Sequence, residues 1–96
     1  MMKRIYTSHP EGKKGVNISA EKYGIIRDTL ISILKEKGQI TYRELNKIAI
    51  DRLKDSFEGS ISWYVVTVKL DLEANGIIER VPRTSPHELK LKSQTR

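Results

Sequence analysis

The chain contains no cysteine, and it is poor in aromatic residues and proline, with one Trp, one Phe and three Pro among its 96 residues. The lack of cysteine excludes disulfides, thiolate metal sites and cysteine nucleophiles together. Apolar runs long enough for a membrane span are also missing, and the first residues, MMKRIYTSHP, do not form the apolar core of a signal peptide. We therefore expect a cytoplasmic protein that does not associate with membranes and that is stabilised by one small hydrophobic core.

Residue groups that would support catalysis or metal binding are missing from the sequence as well. His9 and His87 are isolated, and neither has a second ligand at metal-binding spacing. Gly12 and Gly15 in PEGKKG have neither the spacing nor the preceding strand of a phosphate-binding loop. No serine lies in a recognisable nucleophile elbow. The sequence therefore predicts a protein that is not an enzyme and that holds no cofactor and no metal.

Positive charge is present in excess, and it is concentrated at the two ends of the chain, within a net charge of +6. Residues 1–16 carry four basic side chains against one acidic side chain, a net charge of +3, and residues 80–96 carry five against one, a net charge of +4. A polyanion should therefore contact the two ends and not the middle of the chain. The alternative is that the basic ends only keep the protein soluble.

Capping signals divide the middle of the chain into helices. The first helix is predicted over residues 20–37, between a Ser19 N-cap and a stop at Gly38. A short strand in GQIT precedes the second helix, whose start is marked by the capping box that Thr41 and Glu44 can form. Two helices that begin at capping residues and carry apolar stripes are therefore expected before the DSFEG link.

The third helix is predicted over residues 60–75, although ISWYVVTVKL has a composition that also suits a strand. Helix is favoured because the apolar spacing continues into LDLEAN and ends at Gly76. A strand over residues 77–81, a loop over residues 82–86 and a returning strand over residues 87–92 follow. The loop, PRTSP, is bracketed by two prolines.

This order of elements, together with the stretch LEANGIIER, resembles the winged helix-turn-helix family. The resemblance covers residues 19–92 and implies a small α+β domain, a winged helix with three helices and a short two- to three-stranded β-wing. Residues 1–18 are expected to form a flexible basic arm, and residues 93–96 a disordered tail.

The resemblance implies that the third helix enters the major groove of double-stranded DNA, as in a transcription regulator or a chromatin-associated protein. The helix offers small hydroxyls, Lys69 and a tryptophan, so contacts are expected mainly with the DNA backbone. A helical wheel also places Asp71 and Glu73 on the outward side. The DNA-binding residues expected on the third helix, the wing and the arm are Ser60, Ser62, Thr67, Lys69, Arg80, Arg83, Thr84, Ser85, Lys13 and Lys14.

A second apolar strip on the third helix supports an alternative function. Trp63, Val66 and Leu70 lie together on the wheel, away from the core side. Three explanations are open: the arm covers the strip, the strip contacts a second copy or a protein partner, or Trp63 touches a sugar-phosphate backbone. The alternative is therefore a protein–protein interaction module, a homodimer or a complex with another protein.

Overall fold

The computed structural model describes residues 3–92, in which three helices and five short strands form an α+β fold with two small antiparallel sheets. The predicted disordered tail, residues 93–96, lies outside the described residues, as do the first two residues of the predicted arm. The elements are β1 Arg4–Tyr6, β2 Asn17–Ser19, α1 Ala20–Lys37, β3 Gln39–Thr41, α2 Tyr42–Leu53, α3 Ile61–Ala74, β4 Ile78–Val81 and β5 Glu88–Leu91.

The helix boundaries follow the capping signals of the sequence. The Ser19 hydroxyl accepts a hydrogen bond from a backbone N–H in the first turn of α1, and Gly38 ends that helix with a φ of 80°. Thr41 and Glu44 form a reciprocal capping box at the start of α2. The Ser60 hydroxyl caps α3, so the helix predicted over ISWYVVTVKL is confirmed.

The hydrophobic core lies between the three helices and one face of the sheet formed by β3, β5 and β4. Each helix contributes a buried apolar stripe, and β4 and β5 each add one fully buried side chain. Burial of a large apolar side chain stabilises the fold by about 1.5–3 kcal/mol. The buried apolar side chains of these helices and of β4 and β5 are Ile26, Leu30, Ile33, Leu34, Leu45, Ala49, Leu53, Val65, Val68, Leu72, Ile78 and Leu89.

The three-stranded sheet has the order β3–β5–β4, with both pairs antiparallel. Leu89, in the central strand, lies opposite Ile40 on one side and Arg80 on the other. The loop over residues 82–86 closes the β4–β5 hairpin at one end. At its open end the Lys92 N–H donates to the Ile77 carbonyl oxygen at 2.9 Å. The proline-bracketed loop therefore lies at the opposite end of the hairpin from Ile77 and Lys92.

The N-terminal segment differs from the flexible arm predicted over residues 1–18. β1 and β2 form an antiparallel hairpin in which Ile5 lies opposite Ile18, and Ile18 is buried in the core. Thr7 is 3% exposed, and its N–H donates to the Val16 carbonyl oxygen at 2.8 Å. Backbone pairing and apolar burial together hold this segment on the domain.

Candidate nucleic-acid interface

The face of α3 that the sequence assigns to a DNA groove is partly covered by the β1–β2 hairpin. Thr67 and Leu70 line one side of a crevice of about 80 Å³, and Val16 and Lys14 line the hairpin side. Thr67, a predicted DNA-binding residue, is accordingly only half-exposed. The hairpin therefore covers part of the α3 face that the sequence assigns to DNA.

Asp71 joins the hairpin to the helices. It is 5% exposed, although the helical wheel places it outward. One carboxylate oxygen accepts a hydrogen bond from the Ser8 backbone N–H at 2.7 Å, and the other accepts from the Tyr23 hydroxyl on α1. Burial, followed by the hydrogen bond to Asp71, raises the pKa of Tyr23. Asp71 is therefore a structural acceptor at the point where α1, α3 and the hairpin meet.

Lys69 does not project outward as predicted. It is 8% exposed, its ammonium group lies 2.9 Å from Glu73, and the same group lies 5.2 Å from the ring centroid of Tyr42. The other oxygen of Glu73 accepts a hydrogen bond from the Arg80 Nε at 2.8 Å. Glu73 is thus held between a lysine of its own helix and an arginine of β4. Lys69 is enclosed by this contact, whereas the Arg80 side chain keeps 48% of its surface exposed.

The loop over residues 82–86 exposes to solvent two of the three polar side chains that the sequence predicts to contact DNA. The Thr84 hydroxyl donates to the Val81 carbonyl oxygen at 2.8 Å and accepts from the Glu88 N–H at 2.9 Å, so it closes the loop. Arg83 and Ser85 are exposed. Among residues 3–92, Arg83 has no acidic partner within ion-pair distance. Arg83 is therefore an exposed cation whose charge is not paired within the described residues.

The turn of the β1–β2 hairpin offers a second group of exposed cations. Lys13 and Lys14 are both exposed, and Lys13 lies 3.2 Å from the carboxylate of Glu11. The hydrogen bond and charge of Lys13 lower the pKa of Glu11, and a smaller contribution comes from Arg80.

The first turns of α3 are the part of this helix that remains open. Ser60 is used as the helix cap, and the Ser62 hydroxyl accepts from the Asn46 side-chain amide at 3.3 Å. Arg43, which is exposed on α2, lies one turn before Asn46. The sequence prediction did not include Arg43. Its position opposite the apolar stripe of α2 could be read from the sequence, but a cation on the polar face of a helix does not by itself indicate a binding residue.

The apolar strip on α3 is covered at one end and open at the other. Val66 and Leu70 are half-buried, and Leu70 borders the hairpin. Trp63 is 44% exposed, and its ring meets Tyr64 edge-on with centroids 4.9 Å apart. The hairpin therefore covers the Leu70 end of the strip, while the indole of Trp63 remains exposed to solvent.

Two further features bear on the class of protein. Within residues 3–92, no three His, Asp or Glu side chains are grouped closely enough to hold a metal ion. The helices of the same region all lack the combined length and apolar character that crossing a membrane requires.

Comparison with known proteins gives one family. A family model described as "Family of unknown function (DUF6958)" matches residues 4–89, from the first strand of the N-terminal hairpin to the central strand of the second sheet. No curated protein and no solved structure matches the chain significantly. The N-terminal hairpin and all three helices lie within the matched segment, which ends inside β5. The chain therefore belongs to the DUF6958 family.

Proposed function

We propose that the domain is a winged helix that binds the backbone of double-stranded DNA through basic side chains on its two hairpin turns. Support for the fold comes from the element order α1, β3, α2, α3, β4, β5 and from the strand order β3–β5–β4. In such a fold the β4–β5 hairpin is the wing, and α3 is the helix nearest the DNA.

The observation that carries the proposal is the separation of charge around α3. The two acids of that helix, Asp71 and Glu73, are held by hydrogen bonds and ion pairs within the domain. The cations Lys13, Lys14 and Arg83 are exposed on the turns. With both acids of α3 enclosed, the helix itself repels phosphate less, and the exposed cations attract it, although Glu11 beside Lys13 offsets part of the charge of that turn.

The same arrangement supports backbone binding with little reading of bases. Lys69 is enclosed, and the open part of α3 offers Ser62 and Trp63, which do not make the bidentate contacts that distinguish base pairs. Affinity should therefore depend strongly on salt and weakly on sequence. Regulation of transcription or association with chromatin is compatible with such binding.

Fluorescence anisotropy of a labelled random-sequence duplex, titrated at several salt concentrations, tests the proposal. Arg83→Ala and Lys14→Ala should each weaken binding several-fold for every duplex and reduce the salt slope by about 1. Lys54→Ala, at the C-terminal end of α2, is the matched control and should change little. An absence of binding even at low salt would refute the proposal.

The second candidate is a protein–protein interaction module, and the observation that favours it is the 44% exposure of Trp63. A half-exposed indole beside half-buried Val66 is the kind of anchor that interfaces use. This candidate predicts association that salt does not weaken and that Trp63→Ala abolishes. Sedimentation of the intact protein at high micromolar concentration tests the homodimer, and a monomer there would exclude it.

A further inference from the structure

A groove at the open end of the β4–β5 hairpin, away from the loop over residues 82–86, is lined by both apolar and basic residues. It lies between α1 and the open end of the β4–β5 hairpin and has a volume of about 410 Å³. Volumes of this size are typical of sites that bind ligands or peptide side chains. The residues that line the groove are Arg27, Ile31, Lys35, Ile77, Leu91 and Lys92.

The lining combines an apolar floor with a basic rim. The three apolar side chains are half-buried, so part of their surface faces the groove. The three basic residues are one arginine and two lysines, and no acidic residue lines the groove. Arg27 lies 3.1 Å from Asp28, its neighbour in the chain, while Lys35 has no acidic partner among residues 3–92. The rim therefore keeps a positive charge.

The length of the groove limits what it can hold. Arg27 and Lys35 are two helical turns apart on α1, a distance of about 12 Å along the axis. An extended chain covers that distance with about four residues, because each residue spans about 3.3 Å. A short peptide segment fits the site, whereas a longer segment would extend beyond the rim.

We propose that this groove binds a short acidic segment of a partner protein, with apolar side chains on the floor and carboxylates at the rim. Charge complementarity selects an acidic partner. The apolar floor distinguishes such a segment from a nucleic-acid backbone, which has no apolar side chains to place there. The groove is separate from the two hairpin turns, so this proposal does not depend on DNA binding.

The probe for the test is a short fluorescein-labelled peptide in which pairs of leucines alternate with pairs of aspartates, titrated with the full chain. Lys35→Glu should weaken binding about tenfold, because an attraction is replaced by a repulsion, and Lys35→Gln should weaken it about threefold. Lys47→Glu changes the net charge equally on α2 and should leave affinity within about twofold of the wild type. Circular dichroism checks that each variant is folded.

Two control peptides and two competitors complete the design. A peptide with serine in place of leucine, or asparagine in place of aspartate, should bind at least about tenfold more weakly if floor and rim both contribute. The proposal would be overturned if either control peptide bound as tightly as the leucine–aspartate probe. It would also be overturned if Lys35→Glu and Lys47→Glu weakened binding of the probe equally. Displacement of the probe by the peptide SQTR, which has the sequence of residues 93–96, would identify the chain's own end as occupant and overturn it too. If the protein forms a dimer that Lys35→Glu dissociates, the occupant of the groove is a second copy, and the proposal is overturned. If a DNA duplex displaces the probe, the groove binds nucleic acid, and the proposal is overturned as well.

Discussion

Replacing Gly15 by alanine should disrupt the close packing of the N-terminal hairpin against itself. A Cβ atom at this position would lie 1.6 Å from the carbonyl oxygen of Thr7, closer than any non-bonded contact allows. Because the clashing atom belongs to the backbone of Thr7, rotating a side chain cannot relieve the clash. The chain segments that contain Thr7 and Gly15 must therefore move apart. The bonds at risk are Thr7 N–H to the Val16 carbonyl at 2.8 Å and Val16 N–H to the Thr7 hydroxyl at 3.0 Å.

The cost extends to the bond between the Ser8 N–H and Asp71, at 2.7 Å, because Ser8 follows Thr7 directly. Each lost hydrogen bond contributes about 1 kcal/mol, and Asp71 would keep only the Tyr23 hydroxyl as a side-chain donor. We expect Gly15→Ala to lower the free energy of unfolding by about 3 kcal/mol. In a domain of this size, that corresponds to a fall in Tm of about 12–24 °C.

Gly24→Ala is the matched control, because nothing lies within 4 Å of a Cβ atom at that position inside α1. Alanine stabilises a helix relative to glycine, so this variant should be more stable than the wild type by about 0.5–1 kcal/mol. Thermal and urea unfolding followed by circular dichroism measures both variants. If Gly15→Ala proved as stable as the wild type, the close packing of the hairpin against itself would be refuted.

Two further predictions concern the buried polar groups. The pKa of Tyr23 is raised above its usual value of 10, so above about pH 10 the unfolded chain loses that proton first and stability falls as pH rises. Urea unfolding across that range should show a smaller fall for Tyr23→Phe, and an equal fall would contradict this assignment. Glu73→Ala leaves the enclosed Lys69 without its acid and should cost about 3 kcal/mol. Lys69→Ala leaves Glu73 paired with Arg80 and should cost less, and thermal unfolding of the two variants decides the order.

The helices could be predicted because their ends are determined by neighbouring residues. Ser19, Thr41 and Ser60 each accept a hydrogen bond from a backbone N–H within three residues along the chain, so the sequence contains the whole interaction. Strands β4 and β5 were predicted for a similar reason, since the alternation of Leu89 and Lys90 is local. These features need no knowledge of tertiary contacts.

The N-terminal hairpin could not be predicted in this way. β1 and β2 have three residues each, which is too short to show a period, and the turn between them is long and polar. Its decisive contacts connect distant parts of the chain, as between Ser8 and Asp71. The burial of Lys69 was missed because a helical wheel shows one helix, while Tyr42 on α2 and Arg80 on β4 complete its surroundings.

Arg83 has a backbone φ of 64°, in the left-handed region that glycine adopts without strain. An arginine there costs about 1 kcal/mol relative to a residue in a favoured conformation. Arg83→Gly should therefore make the folded domain more stable while removing the exposed cation of the loop. Thermal tolerance and ligand affinity would then change in opposite directions at a single position, so selection for stability alone would replace this arginine, and selection for binding would retain it.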